Sequence, residues 1–237
     1  MVFRRLSIIP SMHFEILVED ASGKIMLETL VPRILGPKGK PHKYRIINIQ
    51  ELKHRTMMRM PRQLARTLPW DAILFETLAQ QLKGYGRSLP PDKGAVIVVV
   101  DADWHDPLAF RQQLEDLAVP LDPKPLYMAR LAIEEGEAWL LGDPEAVIAA
   151  YPFAKRYVLE QYEQDSECGT WEWLADAIYK GGSDHLTAIG YPEIGRVKCM
   201  WAKRISPYID VETNRSPSFQ EFRRGLLSLI PDTTAEG

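Results

Sequence analysis

Six consecutive residues, Ala95-Val-Ile-Val-Val-Val100, are apolar and almost all β-branched, and the run passes straight into Asp101-Ala-Asp103. A short uninterrupted run of this kind is the mark of a strand buried on both faces, which belongs at the centre of a parallel sheet. The chain is therefore expected to be α/β, with helices covering the sheet. The carboxyl ends of parallel strands line one edge, and open α/β sheets hold their ligands along that edge. A second apolar run, His13–Val18, ends in the same manner at Glu19-Asp20. Asp101 and Asp103 are two residues apart, so a strand continuing through both would point their side chains to one side. A small number of oxygen ligands suits Mg²⁺ or Mn²⁺.

The remaining pattern fits βα alternation. Phe14–Val18 is a strand, Ala21-Ser-Gly23 reads as a turn, and Ile25, Leu27, Leu30, Val31 and Ile34 are the apolar positions of a helix that ends at Gly36-Pro-Lys-Gly39. Tyr44–Ile49 is a second strand, Thr56–Pro61 a Met-rich basic connector, and Leu64 through Leu82 has helical spacing before a loop at Gly84–Gly94. Asp106-Pro107 and Asp143-Pro144 each start a helix as N-cap and first residue, with a fourth strand at Leu126–Ile133 between them. From there onward Phe153–Gln164, Trp171–Lys180, Glu193–Ile205 and Pro217–Ile230 read as helices, the last capped by Ser216, and Pro231–Gly237 as a frayed tail. The expected division is an α/β domain over 1–150 and a helical C-terminal extension over 151–237 packed on it.

With 46% hydrophobic residues, 237 residues are ample for a packed core. No run is long and apolar enough for a membrane span and the first residues lack a signal-peptide pattern, so a cytoplasmic protein is expected. Cys168 and Cys199 form no C-x-x-C and are expected as free thiols. The five histidines show no H-x-x-H or H-E-x-x-H spacing, which argues against a zinc hydrolase. Gly36-Pro-Lys-Gly-Lys40 follows a helix instead of opening one and is not a nucleotide-binding P-loop.

A net charge of -3 conceals segregation. Arg33 to Arg66 carries ten Lys/Arg against Glu51 alone, whereas Asp101 to Glu145 carries eleven acids against Arg111, Lys124 and Arg130. A basic stretch beside acidic strand ends suits a metal-dependent enzyme acting on a polyanion; two solvated surfaces that offset each other would have the same composition. On the first reading Lys38, Lys40, Lys43, Arg45, Arg55 and Arg59, with His42, contact phosphates without reading sequence, and binding weakens steeply with salt. Lys198 is a further candidate phosphate contact, and a surface lysine on a helix is the commoner outcome for such a residue. Trp139 is expected in the core.

Val18-Glu-Asp-Ala-Ser-Gly23, Val99-Val-Asp-Ala-Asp103, Glu137-Ala-Trp-Leu-Leu-Gly-Asp143, Lys198-x-x-Trp201 and Asn214-Arg-Ser-Pro-Ser-Phe219 together resemble the TOPRIM fold. The likeness is to a family of small bacterial TOPRIM-like proteins often encoded beside AAA-type ATPases, related to the overcoming-lysogenization-defect type nucleases. One departure is Asp20, where TOPRIM proteins often have Gly after the first acid.

The resemblance implies a TOPRIM/Rossmann-like fold and divalent-metal phosphodiester chemistry on DNA or RNA. It implies Asp101 and Asp103 as metal ligands, Glu19 as ligand or general acid/base, and Glu137 as a ligand or a group bonded to one. It also implies a defence effector with an AAA ATPase partner, and a homodimer as a candidate state. The rival from another class is a non-catalytic interaction module in which the acids are vestigial. A phosphatase or nucleotide hydrolase acting on small substrates is a third reading.

Overall fold

The computed structural model describes residues 11–165 and 169–231, side chains of 62 and 65 excepted. Its sheet contains β1 (His13–Val18), β2 (Lys43–Asn48), β3 (Gly94–Asp101) and β4 (Leu126–Ala132). The order is β2-β1-β3-β4 and every neighbouring pair is parallel. This is a Rossmann-like α/β arrangement. From β1 the chain moves outward to β2 and then returns past β1 to place β3 on its other side, so the switch point lies between β1 and β3. In such a sheet that is where the carboxyl ends leave a crevice.

Strand alternation divides the core. Phe14, Ile16, Val18, Ile97 and Val99 face α1 (Ala21–Leu35), which contributes Met26, Leu27, Leu30 and Val31. Leu17, Val96, Val98 and Val100 face α4 (Trp70–Ser88) and α5 (Pro107–Asp116), through Leu74, Leu78, Leu82, Phe110 and Leu114. Both faces of β3 are therefore covered, which is why its sequence shows no polar alternation.

Two short helices, α6 (Glu137–Leu141) and α7 (Pro144–Ala150), follow β4. After them come α8 (Arg156–Gln161), α9 (Thr170–Ile178), α10 (Gly182–Ile189), α11 (Glu193–Ile205) and α12 (Pro217–Ser228). Leu174, Leu186, Val197, Trp201, Phe219 and Phe222 from these helices join the α1-side core. The helical part thus covers one sheet face with the same continuous apolar cluster.

The caps stand as read: Asp106, Asp143 and Ser216 accept from the amides of Ala109, Ala146 and Phe219. Elsewhere the structure corrects the local reading. Ala21-Ser-Gly23 is the first turn of α1, capped by Asp20, whose side chain accepts from the Gly23 amide. The basic connector belongs to α2 (Ile49–Arg59), and the helical spacing after it is split by Pro69 into α3 (Arg62–Thr67) and α4. Much of the 84–94 loop is the end of α4. Helix α10 had no sequence counterpart. Cys199 is a free thiol on α11; Cys168 and the 232–237 part of the tail lie outside the described residues, as do the first ten.

Candidate functional site

The carboxyl ends of β1 and β3 are joined directly. The Glu19 amide donates to the Val99 carbonyl at 3.0 Å, and the Glu19 Oε2 accepts from the Asp101 amide at 2.9 Å. The Glu19 carboxylate is thereby fixed at the switch point, against the backbone that carries Asp101. A cavity of about 10 Å³, close to the minimum that holds one water, is lined there by Glu19, Asp101, Asp20 and Gly136.

Burial raises the Asp101 pKa well above the ordinary carboxylate value, and the charge of Glu19 adds to it. Burial also raises Glu19, against the pull of the Asp101 amide and of Lys53. Each carboxylate in a dry site makes ionisation of its neighbour harder.

Asp103 is placed differently from Asp101. The β3–β4 pairing ends at Asp101 with Ala132, and Asp103 sits beyond it in a left-handed turn at φ 45°. The two side chains do not share a strand face, because the strand stops before the second acid. The Asp103 amide donates to the Glu134 carbonyl at 3.0 Å, which ties this turn to the one after β4. Its pKa is raised by partial burial and by Glu135, with His105 and Lys198 opposing.

Glu137, at the start of α6, is fully buried beside this pair. Its Oε2 lies 2.9 Å from Lys198 Nζ, and Ser22 Oγ approaches Oε1 at 3.5 Å. Burial lifts its pKa to about 7 in spite of Lys198. Lys198 is not a surface residue: α11 carries it inward, where it also pairs with Glu135 at 3.4 Å. Burial disfavours its charge, but Glu137, Glu135 and Asp101 reverse that and raise its pKa well above the usual value. Glu135 in turn accepts from Thr170 Oγ1 and the Trp171 amide, capping the start of α9.

Lys53 is the buried side chain beside Glu19 that motif reading passed over. It is 1% exposed, its Nζ stands 3.6 Å from the centre of the Trp70 ring and 3.9 Å from Glu19 Oε1, and it has no hydrogen-bond partner among the described residues. Burial lowers its pKa to about 8, while Glu19, Asp71 and Asp103 hold it up. The only sequence signal was its place four residues into the helix that leaves the carboxyl end of β2.

The basic residues do not gather in one place. Lys38, Lys40 and Lys43 are exposed before or at the start of β2, on the sheet edge opposite Glu19 and Asp101. His42 is buried and accepts from the Met12 amide, so it faces inward. Arg45 is held by Glu15 at 2.8 Å. Arg55 and Arg59 are exposed on α2, the helix that also carries Lys53.

Two of the sequence motifs form a structural clamp. Asn214 Nδ2 donates to the Trp139 carbonyl, Trp139 Nε1 to Ser218 Oγ, and the Arg215 amide to the Gly142 carbonyl. The clamp fixes α6, and with it Glu137. Trp139 is a core residue at 0% exposure.

The donor set at Glu19 and Asp101 is all oxygen, which fits Mg²⁺ or Mn²⁺. Mg²⁺ is commonly held by one or two carboxylates with water and substrate phosphate completing its shell. Among the described residues no three His, Cys, Asp or Glu side chains are grouped closely enough to hold an ion by themselves. With no third acid grouped on them among the described residues, the donor chemistry of these two carboxylates suits an ion whose other positions stay open, not a closed cage.

A family model described as Domain of unknown function (DUF4276) matches residues 18–227. No curated protein and no solved structure matches the chain.

Proposed function

The chain belongs to the DUF4276 family, and we propose that it is a TOPRIM-like, Mg²⁺- or Mn²⁺-dependent nuclease hydrolysing phosphodiester bonds in DNA or RNA. The observation that carries this reading is the Glu19–Asp101 contact, which sets two carboxyl groups of raised proton affinity at the sheet switch point. A divalent ion bound there would polarise the phosphate and offset the charge that builds on it. Glu19 and Asp101 would hold it, with Glu137 kept in place beside them by Lys198.

The chain's own residues supply the rest of the chemistry. Lys53, with a pKa near 8, is suited to place an ammonium against the reacting phosphate or to protonate the leaving oxygen. Glu19, 3.9 Å from it, is the group to orient or deprotonate the attacking water. Arg55 and Arg59 on α2 are the basic side chains best placed to meet a polyanion approaching this edge. An AAA ATPase partner, a defence role, a cytoplasmic location and a homodimer belong to the same proposal through the TOPRIM resemblance. No helix among the described residues is long and apolar enough to cross a membrane.

One observation favours the interaction-module reading: the acids already have internal counter-charges, Lys198 on Glu137 and Lys53 near Glu19. The two readings separate in a cleavage assay on duplex DNA, single-stranded DNA and RNA with Mg²⁺ or Mn²⁺, with and without the ATPase. The nuclease reading expects cleavage that Asp101→Asn abolishes with the melting temperature preserved. Identical behaviour of wild type and variant on every substrate would leave the module.

A further inference from the structure

Beside the proposed phosphodiester site lies a second cavity, of about 160 Å³, roughly ten times the space one water requires. Asp103, Glu134 and Glu172 line it, with the indoles of Trp104 and Trp171. None of these three acids is in an ion pair among the described residues, whereas Glu135, also in the wall, shares Lys198 with Glu137. Glu134 is 5% exposed, and neither of its carboxylate oxygens has a hydrogen-bond partner among the described residues, although the nearby Thr170 N–H lowers its pKa against the rise that burial causes. Glu172 Oε2 is likewise buried without a partner. A buried carboxylate left in this way costs stability unless something neutralises it.

The lining distinguishes the cation. Asp103, Glu134 and Glu172 stand on separate segments, after β3, after β4 and on α9, with an indole beside them. A planar, extended cation that reaches separate carboxylates while stacking on an indole fits that arrangement. Trp104 supplies such a face: it is 80% exposed, and its ring stacks on His105, which stacks in turn on Phe110.

We propose that this cavity binds a monosubstituted guanidinium group, with Glu134 and Glu172 as its carboxylate partners and Trp104 as its stacking surface. The group is carried either by a free small molecule or by an arginine side chain of a partner protein. The site does not depend on the nuclease reading, and its test contains no nucleic acid.

Titration of the full chain with agmatine and with the peptide Ac-Gly-Arg-Gly-NH₂, followed by calorimetry and tryptophan fluorescence, is the experiment. Saturable one-to-one binding is expected, weakened at least ten-fold by Glu134→Gln, Glu172→Gln or Trp104→Leu. Agmatine binding alone identifies a free ligand, and binding of the peptide as well identifies a side chain; both support the site. Should Glu134→Gln fail to fold, the two less buried positions still decide. Absence of saturable binding to either probe, unchanged affinity in the folded variants, or displacement of the probe by Mn²⁺ would overturn it.

Discussion

The Glu19 carboxylate accepts a hydrogen bond from the Asp101 amide at 2.9 Å, which latches the end of β1 to the end of β3 where the sheet changes direction. Removing the acceptor leaves a shielded N–H without a partner, at a cost of about 1–3 kcal/mol. Glu19→Ala is expected to lose that much in urea unfolding. Glu19→Gln keeps an acceptor but removes both the charge that repels Asp101 and the counter-charge of Lys53, so it should lose less stability than Glu19→Ala. Equal losses for both would show that the latch contributes nothing.

Lys198 and Glu137 should be unequal alone and compensated together. Breaking a buried pair from one side strands a charge and typically costs about 3–5 kcal/mol, whereas replacing both partners is often close to neutral. Lys198→Met is expected to fall in that range, and Lys198→Met with Glu137→Gln to recover most of it, as read by a double-mutant cycle in denaturant. An additive double variant would contradict the pairing seen at 2.9 Å.

Stability should decline as pH rises across the acid range. Glu134 and Glu137 are both raised to about 7, first of all by burial. A carboxyl group whose folded pKa exceeds its unfolded value binds its proton more tightly when folded, so its stabilisation is complete below the unfolded pKa near 4.5 and is lost as pH rises through about 7. Each group contributes at most on the order of 3 kcal/mol. Melting temperature measured from pH 5 to pH 8 without divalent ions should fall, and the double variant Glu134→Gln with Glu137→Gln should flatten the curve relative to wild type. Parallel curves would place these carboxyls in ordinary surroundings.

Gly142 is required by close approach. A Cβ added there would overlap Asn214 Oδ1 in the clamp that holds α6. Gly142→Ala should lower stability by about 1–3 kcal/mol, and Asn214→Ala in the same background should relieve the overlap. A neutral Gly142→Ala would mean that the clamp is looser than it stands here.

The legible parts of this fold were those governed by local rules. The Ala95–Val100 run reported a strand covered on both faces, and Asp106, Asp143 and Ser216 reported helix starts. Gly84 and Gly86 misled because they lie inside α4: a Cβ on Gly86 would overlap the Pro123 carbonyl, so that glycine serves packing and not a turn. The acids at the strand ends were visible, but their separation into Glu19 with Asp101 and Asp103 with Glu134 was not. It depends on β3 ending at Asp101, which the pairing with β4 decides. Lys53 looked like one of ten basic residues, and its burial follows only from the way α2 packs under Trp70. Lys198 lay far along the chain from the acids it neutralises, and no periodicity connects such positions.

The central claim is that Glu19 and Asp101 form the core of a divalent-metal site. Anomalous diffraction from crystals soaked in Mn²⁺ tests it most directly. The account predicts one strong anomalous peak within about 2.0–2.4 Å of a carboxylate oxygen of each residue, lost in Asp101→Asn. A wild-type crystal that shows no peak there, or shows one only at other acids, would contradict it.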